Sequence, residues 1–482
     1  MKYFEILNTT LINEGFSDFK KYKIPEQIYC KNYLNFKNIL LNILSQLNEK
    51  KIFLLTDGQF KLAELNEDIN IDQKIQNIFT NEIEIYYKNI AEECNIQPEQ
   101  IHASEKYLNY IDDCINSIKD NCKVFVALGS GTITDLLKHS LYRTYSKAIF
   151  ISIPTAMTVT AFTSSFSVIE IDGAKRTRES KQIDYTIWIE PLLQAAPISL
   201  SRAGYGDLLA RFVAYGDWFL GYKLGISDNY NELAFRLMDP FSIALKELSL
   251  TFKHSHLSSA AVSLLSPALA MAGLAMSLSG ETTPLSGYEH VISHSLDYLR
   301  LTAHRELVLH GEQVALASLA SAMTFDWLFD FETFEQNKFR TLNEKEADKL
   351  ILQLLLKAPY NVAENSFFEI EKKQIESVKN IFLHDYMKKS DKWAVAKNNI
   401  SFFIKDFPVI KEHLKKLTIR AYELELLLSN ANLPIFPEAT LPSTSALEYR
   451  WALRFSPFIR SRFSIADFIF WIGEDPCAVA AV

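Results

Sequence analysis

Short apolar runs alternate with amphipathic segments through the first part of the chain. Four runs are short, apolar or alternating, and bounded by turn residues, which predicts strands over 51–55, 82–87, 124–128 and 148–153. Residues 107–117 have the spacing of an amphipathic helix. Two further runs, 167–171 and 174–177, flank Asp172-Gly173 and predict a hairpin. Strand–helix alternation predicts a largely parallel sheet that is covered by helices.

The periodicity changes after about residue 198, where strand patterns almost disappear. Apolar positions recur at helical spacing in 207–223, 231–252, 258–279, 290–298, 311–331 and several later segments up to residue 470. A chain of 482 residues also exceeds the size of one ordinary core. The sequence therefore predicts two domains, an α/β domain over 1–197 and an all-helical domain over 198–482.

Composition narrows the class of protein. The formal net charge of −8 argues against a nucleic-acid partner, because phosphates would be repelled by the average surface. Five cysteines, an odd count without a CxxC spacing, fit a reducing compartment. The N-terminus lacks the apolar core of a signal peptide. Residues 260–278 have the length of a membrane span, but three serines, a proline and a glycine favour a buried helix. These features predict a cytoplasmic protein without a membrane span.

A glycine-rich turn between a predicted strand and a predicted helix is a candidate nucleotide site. Gly129 and Gly131 lack the Cβ atoms that would keep backbone N–H groups away from a phosphate, and the following helix adds its partial positive end. Thr134 stands where the usual fingerprint has a third glycine, so a plain tight turn is the alternative. Asp57, after the strand 51–55, is the candidate ribose ligand, and its charge would disfavour NADP.

Asp207, His290, His294 and His310 form a candidate set of metal ligands. His290 and His294 are four residues apart, which places them on one face of a helix. Three nitrogen and oxygen ligands would leave a coordination position open for substrate or water. The alternative is that these are ordinary surface or core histidines, since the chain has ten.

In combination and in this order, these motifs resemble the dehydroquinate synthase-like superfamily, which includes the iron-containing alcohol dehydrogenases and glycerol dehydrogenases. Among its members, the sn-glycerol-1-phosphate dehydrogenase family is the one that the chain resembles. The matching segments are 129–135, 153–156, 162–165, 172–177, 203–210, 286–294, 309–314, 458–463 and 466–467. The resemblance spans roughly residues 35–475 and implies a Rossmann-like α/β N-terminal domain followed by an all-α C-terminal domain.

The resemblance also implies roles for individual residues. Asp207, His290 and His310 would hold one divalent metal, with zinc expected before nickel or iron, and His294 would be a neighbouring substrate or outer-sphere group. The pyrophosphate loop and the cofactor contacts of the family fall on Gly129, Ser130, Gly131, Thr132, Asp135, Thr155 and Thr158. Lys175 is a weaker candidate for anchoring the cofactor or the substrate.

Two adjacent positions depart from the family pattern. An Asp-Gly pair usually follows the Pro-Thr-Ala run, with its carboxylate facing the substrate, and here these positions are Thr160 and Ala161. A threonine hydroxyl carries no charge, so it would hold a polyol hydroxyl more weakly and in a different orientation.

The sequence predicts an NAD- or NADP-dependent oxidoreductase that interconverts dihydroxyacetone phosphate and sn-glycerol 1-phosphate or a related polyol phosphate. Two alternatives remain open. One is a dehydroquinate synthase-like cyclase, in which NAD is reduced and reoxidised within one turnover. The other is a non-catalytic relative that keeps the fold, an alternative suggested by Thr160 in place of the family's aspartate. The predicted partner is a small phosphorylated substrate, and the oligomeric state is open, a homo-oligomer included.

Overall fold

The chain forms two compact units. The computed structural model describes residues 2–58, 82–97, 101–171, 174–360 and 372–480. As far as they are described, Met1–Ile171, Lys175–Leu208 and Arg236–Glu281 make up the first unit, and Leu209–Phe235 and Thr282–Val482 belong to the second.

A parallel sheet forms the centre of the first unit. The strands in the described residues are β1 (Glu26–Cys30), β2 (Lys51–Thr56), β3 (Glu84–Asn89), β4 (Val124–Gly129), β5 (Ile149–Pro154), β6 (Phe166–Ile171), β7 (Ala174–Glu179) and β8 (Tyr185–Ile189). Six of them form one sheet in the order β1-β8-β5-β4-β2-β3, in which every neighbouring pair is parallel. Strands β6 and β7 form a separate two-stranded sheet, and the turn predicted at Asp172-Gly173 lies outside the described residues. The predicted parallel sheet is confirmed.

Helices surround the sheet and account for the regular structure after residue 198. The helices up to that change are α1 (Lys2–Asn13), α2 (Tyr33–Gln46), α3 (Ile90–Cys94), α4 (Glu105–Ile118), α5 (Gly131–Thr144) and α6 (Glu190–Ala195). Those after it are α7 (Ile198–Leu208), α8 (Ala214–Lys223), α9 (Leu233–Met238), α10 (Ser242–Leu248), α11 (Ser259–Ser279), α12 (Tyr288–Thr302), α13 (His310–Phe329), α14 (Glu344–Leu356), α15 (Lys372–Ala396), α16 (Ile400–Leu417), α17 (Ala421–Ala431), α18 (Ala446–Phe455), α19 (Ile465–Trp471) and α20 (Pro476–Val479). The predicted helical C-terminal part is confirmed.

Both faces of the central strands β2, β4 and β5 are buried, which explains why these strands read as continuous apolar runs. Along β2, Ile52 and Leu54 join the core cluster that contains α2, whereas Phe53 and Leu55 join the cluster on the other face with α4 and α5. Successive side chains of a strand point to opposite faces, so a sheet covered on both sides needs apolar residues at every position.

The strand order places a crevice at the carboxyl ends of β2 and β4. These strands are neighbours, with Thr56 opposite Leu128. The chain leaves β2 towards β3 on one side and leaves β4 towards β5 on the other. Open α/β sheets bind ligands at such a reversal of strand order. Asp57 and the Gly129–Gly131 turn follow directly after these two strands.

The spatial division differs from the boundary predicted at residues 197 and 198. Helices α7, α10 and α11 group with the sheet, although they follow the change in periodicity. Glycines explain two of these contacts. A Cβ atom on Gly204 of α7 would lie 1.9 Å from the carbonyl oxygen of Met157, and one on Gly273 of α11 would lie 2.5 Å from that of Thr160. The bare helix backbone therefore packs directly on the segment that follows β5.

Helix α11 contains the apolar stretch of membrane-span length. Within the described residues it is the one helix that is long and apolar enough to cross a membrane, but most of it is buried inside the protein. The interpretation of this stretch as a buried helix agrees with that burial.

Candidate functional site

The turn from β4 to α5 brings helix N–H groups to the carboxyl edge of the sheet. Gly129 ends β4, Gly131 begins α5, and the side chain of Ser130 makes no capping hydrogen bond within the described structure. A Cβ on Gly131 would lie 2.3 Å from Cγ2 of Val159, and one on Gly129 would lie 2.8 Å from the side chain of Ile133. Both positions therefore require glycine for packing. The start of α5 retains the unpaired N–H groups and partial positive charge that bind phosphate, with Thr132 in its first turn.

Thr155 places a buried hydroxyl beside this turn. Its N–H donates to the carbonyl of Gly129 over 3.2 Å, so the start of the segment after β5 is tied to the glycine turn. The side chain is 3% exposed, and Oγ1 has no hydrogen-bond partner in the part of the chain that the structure describes. Buried hydroxyls are normally hydrogen-bonded, so this one fits a bound ligand atom at the turn.

Asp57 lies at the edge of a cavity of about 290 Å³. The cavity is lined by Asp57, Gly58, Asn89, Ala91, Glu92, Asn95, Ile96 and Gln97. Gly58 has a φ of +75°, and a Cβ there would lie 2.2 Å from Nδ2 of Asn89, so backbone conformation and packing both require glycine. Asp57 and Asn89 bring carboxylate and amide groups to the carboxyl ends of β2 and β3, where they could bind ribose hydroxyls.

Asp135 takes part in a buried ion pair. Its Oδ1 lies 3.0 Å from Nζ of Lys138, and its Oδ2 accepts the N–H of Val168 over 3.0 Å. The Lys138 ammonium also donates to the carbonyls of Ala161 and Ser164, each over 3.1 Å. Burial lowers the pKa of Lys138, while Asp135 raises it. The pair thus links α5 to the segment after β5, and the predicted contact of Asp135 with a pyrophosphate stays a prediction.

Thr158 and Thr160 lie on this linked segment, and both are half-buried. Thr163 fixes its far end by donating from Oγ1 to the carbonyl of Ala270 on α11 over 2.7 Å. Lys175 lies on β7 and is half-buried. The segment is therefore held by α5 through Lys138 and by α11 through Thr163.

Three histidines of α12 and α13 cluster together. The ring centroids of His290 and His310 are 5.2 Å apart, those of His294 and His310 are 6.0 Å apart, and those of His290 and His294 are 6.4 Å apart. His290 and His294 are buried, and His310 is half-buried. The spacing of four residues does place the pair on one face of α12.

Hydrogen bonds orient two of these rings. Nδ1 of His290 lies 2.9 Å from Oε1 of Glu289, and Nδ1 of His310 lies 3.2 Å from Oγ of Ser293. The Ser293 hydroxyl donates its proton to Oε1 of Gln313 over 2.8 Å, so it accepts from His310. The Glu289 carboxylate has no proton to donate, so it likewise accepts a hydrogen bond from Nδ1 of His290. Both rings therefore carry the proton on Nδ1, which leaves Nε2 as the lone-pair atom that can bind a metal.

Asp207 completes a group that could hold a metal ion. It is buried near the C-terminal end of α7. One ligand atom each from Asp207, His290 and His310 lie within 4.8 Å of one another, and His294 does not belong to this group. Two imidazole nitrogens and a carboxylate oxygen fit a divalent metal with an open coordination position. The group agrees with the ligand set that the family resemblance implies.

The sequence did not predict four residues of the site, which are Glu289, Ser293, Gln313 and Lys138. Glu289 directly precedes His290, and carboxylates often partner ligating histidines, so this one position offered a signal. The other three are common polar residues whose partners are set by tertiary contacts.

Comparison with known proteins shows similarity to one family of dehydrogenases. Residues 44–188 match the family model described as iron-containing alcohol dehydrogenase. Glycerol-1-phosphate dehydrogenase (NAD(P)+) from Bacillus subtilis (strain 168) is 28% identical over 241 residues, which are 48% of this chain and 58% of that protein. The enzyme of the same name from Sulfolobus acidocaldarius is 32% identical over 248 residues, 51% of this chain and 66% of that protein. The chain therefore spans less than two thirds of the length of these curated relatives.

Solved structures agree at the level of the fold. The crystal structure of an archaeal halo-thermophilic Red Sea brine pool alcohol dehydrogenase matches with a TM-score of 0.53 at 12% identity, over 95% of this chain and 96% of that one. At this identity the match shows the fold alone. The sequence matches show that residues 44–188 are similar to the iron-containing alcohol dehydrogenases and that the curated relatives of the chain are named glycerol-1-phosphate dehydrogenases.

Proposed function

We propose that this chain is a metal-dependent NAD(P)H oxidoreductase that interconverts dihydroxyacetone phosphate and sn-glycerol 1-phosphate or a related polyol phosphate. The observation that carries the proposal is the group formed by Asp207, His290 and His310, because a carboxylate and two oriented imidazoles are suited to a divalent metal. The curated relatives support the choice of cofactor and substrate, since their names specify NAD(P)+ and glycerol 1-phosphate.

The cofactor would lie along the carboxyl edge of the sheet. Its pyrophosphate would meet the N–H groups of 129–132, and the unsatisfied hydroxyl of Thr155 would donate to it or accept from it. The adenosine ribose would lie in the cavity at Asp57, whose charge favours NAD over NADP. Thr158 follows on the same segment, towards the substrate.

Asp207, His290 and His310 would hold the metal through one carboxylate oxygen and two Nε2 atoms. When bound, a divalent metal supplies a Lewis acid that polarises the substrate carbonyl. Zinc suits this nitrogen and oxygen set, and nickel and iron use the same ligands. Glu289 and Ser293 would orient the two imidazole rings towards the metal through their contacts with Nδ1.

The substrate would be contacted by His294, Thr160 and Lys175. His294 is a buried imidazole beside the two ligating histidines, which suits hydrogen bonding to a polyol hydroxyl or proton transfer. Thr160 offers a neutral hydroxyl where the family has a carboxylate. Lys175 would contribute a positive charge towards a phosphate or the cofactor.

A cofactor absorbance assay tests the proposal. The purified protein is supplied with Zn²⁺, Ni²⁺ or Fe²⁺ in turn, and NADH consumption is followed with dihydroxyacetone phosphate. We expect consumption that requires both the ketone and the metal and that stops after chelation. Turnover of a sugar phosphate without net change in NADH would favour the cyclase. Absence of both metal and NADH binding would favour the non-catalytic relative, for which the substitution at Thr160 is the supporting observation.

The proposal also covers the cellular location and the oligomeric state. We place the enzyme in the cytoplasm, where its five unpaired cysteines would stay reduced, and in the supply of glycerol phosphate for phospholipids. Cytoplasmic placement also agrees with the burial of α11. A homo-oligomer is the proposed assembly, and light scattering on the purified chain would measure it.

A further inference from the structure

Glu289 is buried at the start of α12, where its side chain contacts both Gly287 and His290. Its side chain has no exposed surface, and Oε1 accepts the N–H of Gly287 over 2.6 Å. The same oxygen lies 2.9 Å from Nδ1 of His290. A single carboxylate oxygen therefore joins the backbone before the helix to a candidate metal ligand on it.

A second carboxylate packs against the same glycine. A Cβ on Gly287 would lie 2.4 Å from Oδ2 of Asp217 and 3.0 Å from Oε2 of Glu289, so both side chains fill the space that glycine leaves. Asp217 accepts the N–H of Tyr288 over 2.5 Å and that of Ile465 over 2.6 Å. Its place is thereby fixed by two backbone donors. Glu289 is confined between Asp217, Gly287 and His290.

The other ligating ring has a neutral partner. Ser293 accepts a hydrogen bond from Nδ1 of His310 and donates one to Oε1 of Gln313, and these residues lie on α12 and α13. In both rings Nδ1 makes the hydrogen bond, but the partner of His290 is a carboxylate and the partner of His310 is a hydroxyl. A carboxylate raises the basicity of the ring that it accepts from, whereas a hydroxyl does so much less.

We propose that Glu289 is a positioning residue for the metal site: it fixes His290 in the tautomer that presents Nε2 and makes this ring the stronger imidazole ligand, while Ser293 and Gln313 orient His310. The inference rests on the proposed function, because it needs Asp207, His290 and His310 to hold a metal. It adds the residues that determine how tightly the metal is held.

Metal dissociation constants of variants, measured by competition with a chelator, test the inference. For Glu289→Ala we expect affinity for Zn²⁺ to fall about 10–100-fold, the usual effect of losing such a partner. Glu289→Gln should lose less, because its amide oxygen can still accept from Nδ1. Ser293→Ala should also lose less, since it removes a neutral bond.

Two matched controls separate positioning from general effects. Glu306→Gln removes one negative charge from an exposed side chain in the connection between α12 and α13. Ser295→Ala removes a buried hydroxyl of α12 that donates to the carbonyl of Val291 on its own helix. We expect wild-type metal affinity in both.

Two further measurements exclude a merely structural role. At saturating Co²⁺, the visible absorption bands of Glu289→Ala should shift from those of the wild type, because His290 is no longer held in one orientation. The NADH dissociation constant should stay at the wild-type value, because the cofactor turn is built by β4 and α5. Wild-type metal affinity in Glu289→Ala, or an equal loss in Glu306→Gln, would overturn the inference alone. A wild-type protein that takes up no divalent metal would overturn the proposed function together with it.

Discussion

Thr160 is a residue at which this chain departs from the pattern of the family that it resembles, and its backbone has defined contacts. Its segment is tied to α5 through Lys138 and packs against Gly273 of α11. The backbone that would present a carboxylate is thus held in place. What the substitution removes is the charge of the side chain, not the support behind it.

Restoring the family pair should therefore raise activity. For Thr160→Asp combined with Ala161→Gly, we expect kcat/KM for dihydroxyacetone phosphate to rise by roughly one to two orders of magnitude, because a charge-assisted hydrogen bond contributes about 1.5–3 kcal/mol. Thr160→Asn with Ala161→Gly is the matched control, since it has similar size without charge. A restored protein that binds metal and NADH normally but stays inactive would show that the pocket serves another substrate.

Asp57 gives a second prediction at the scale of one side chain. A carboxylate beside the adenosine ribose repels a 2′-phosphate, so wild-type protein should bind NADH more tightly than NADPH. Removing the charge in Asp57→Ala or Asp57→Asn should reduce this preference by about tenfold, which corresponds to about 1.4 kcal/mol. Fluorescence titration with both cofactors gives the ratio. An unchanged ratio in both variants would remove Asp57 from the cofactor site.

Helix α7 connects packing to the site at the scale of an element. Gly204 packs against the backbone of Met157, and Asp207 lies three residues later on the same helix. The segment on the other side of this contact carries Thr155 and Thr158. Displacement of α7 should therefore disturb the candidate cofactor contacts and a metal ligand together.

Gly204→Ala tests this coupling. Its Cβ would lie 1.9 Å from a backbone oxygen, so the helix or the segment must move. We expect a loss of stability of about 1–3 kcal/mol or more from overpacking, with weaker binding of both NADH and metal. Ser199→Ala on the same helix is the control. Denaturant unfolding and the two binding titrations measure the effects, and full retention of both affinities would show that α7 does not couple them.

The strands of the sheet differ in how readily the sequence reveals them. Strands β2, β4 and β5 are buried on both faces, so their apolar runs are conspicuous. Strand β1, Glu26–Cys30, was not predicted, because its polar and half-buried residues form no apolar run. Its position depends on pairing with β8, in which Tyr185 lies opposite Glu26. Such long-range pairing is not encoded in a local pattern.

The molecule as a whole shows which features of the site can be predicted. Spacing alone predicted a candidate set of Asp207, His290, His294 and His310, and the family resemblance implied which three of them are ligands. Glu289 was not predicted although it directly precedes His290, and Ser293 was not predicted because its contacts with His310 and Gln313 depend on the packing of two helices. The grouping of α7, α10 and α11 with the sheet is not visible in the periodicity of the sequence, because the helix–backbone contacts at Gly204 and Gly273 depend on folding.

The central claim is that Asp207, His290 and His310 bind one divalent metal, and metal stoichiometry tests it most directly. Purified wild-type protein, His310→Ala and the exposed-histidine control His256→Ala are loaded with Zn²⁺, dialysed and measured by elemental analysis. Removing a direct ligand should abolish stoichiometric binding, whereas removing an outer partner should weaken it. We expect one metal ion per chain in the wild type and in His256→Ala, and essentially none in His310→Ala. A full equivalent of metal retained by His310→Ala would contradict the assignment.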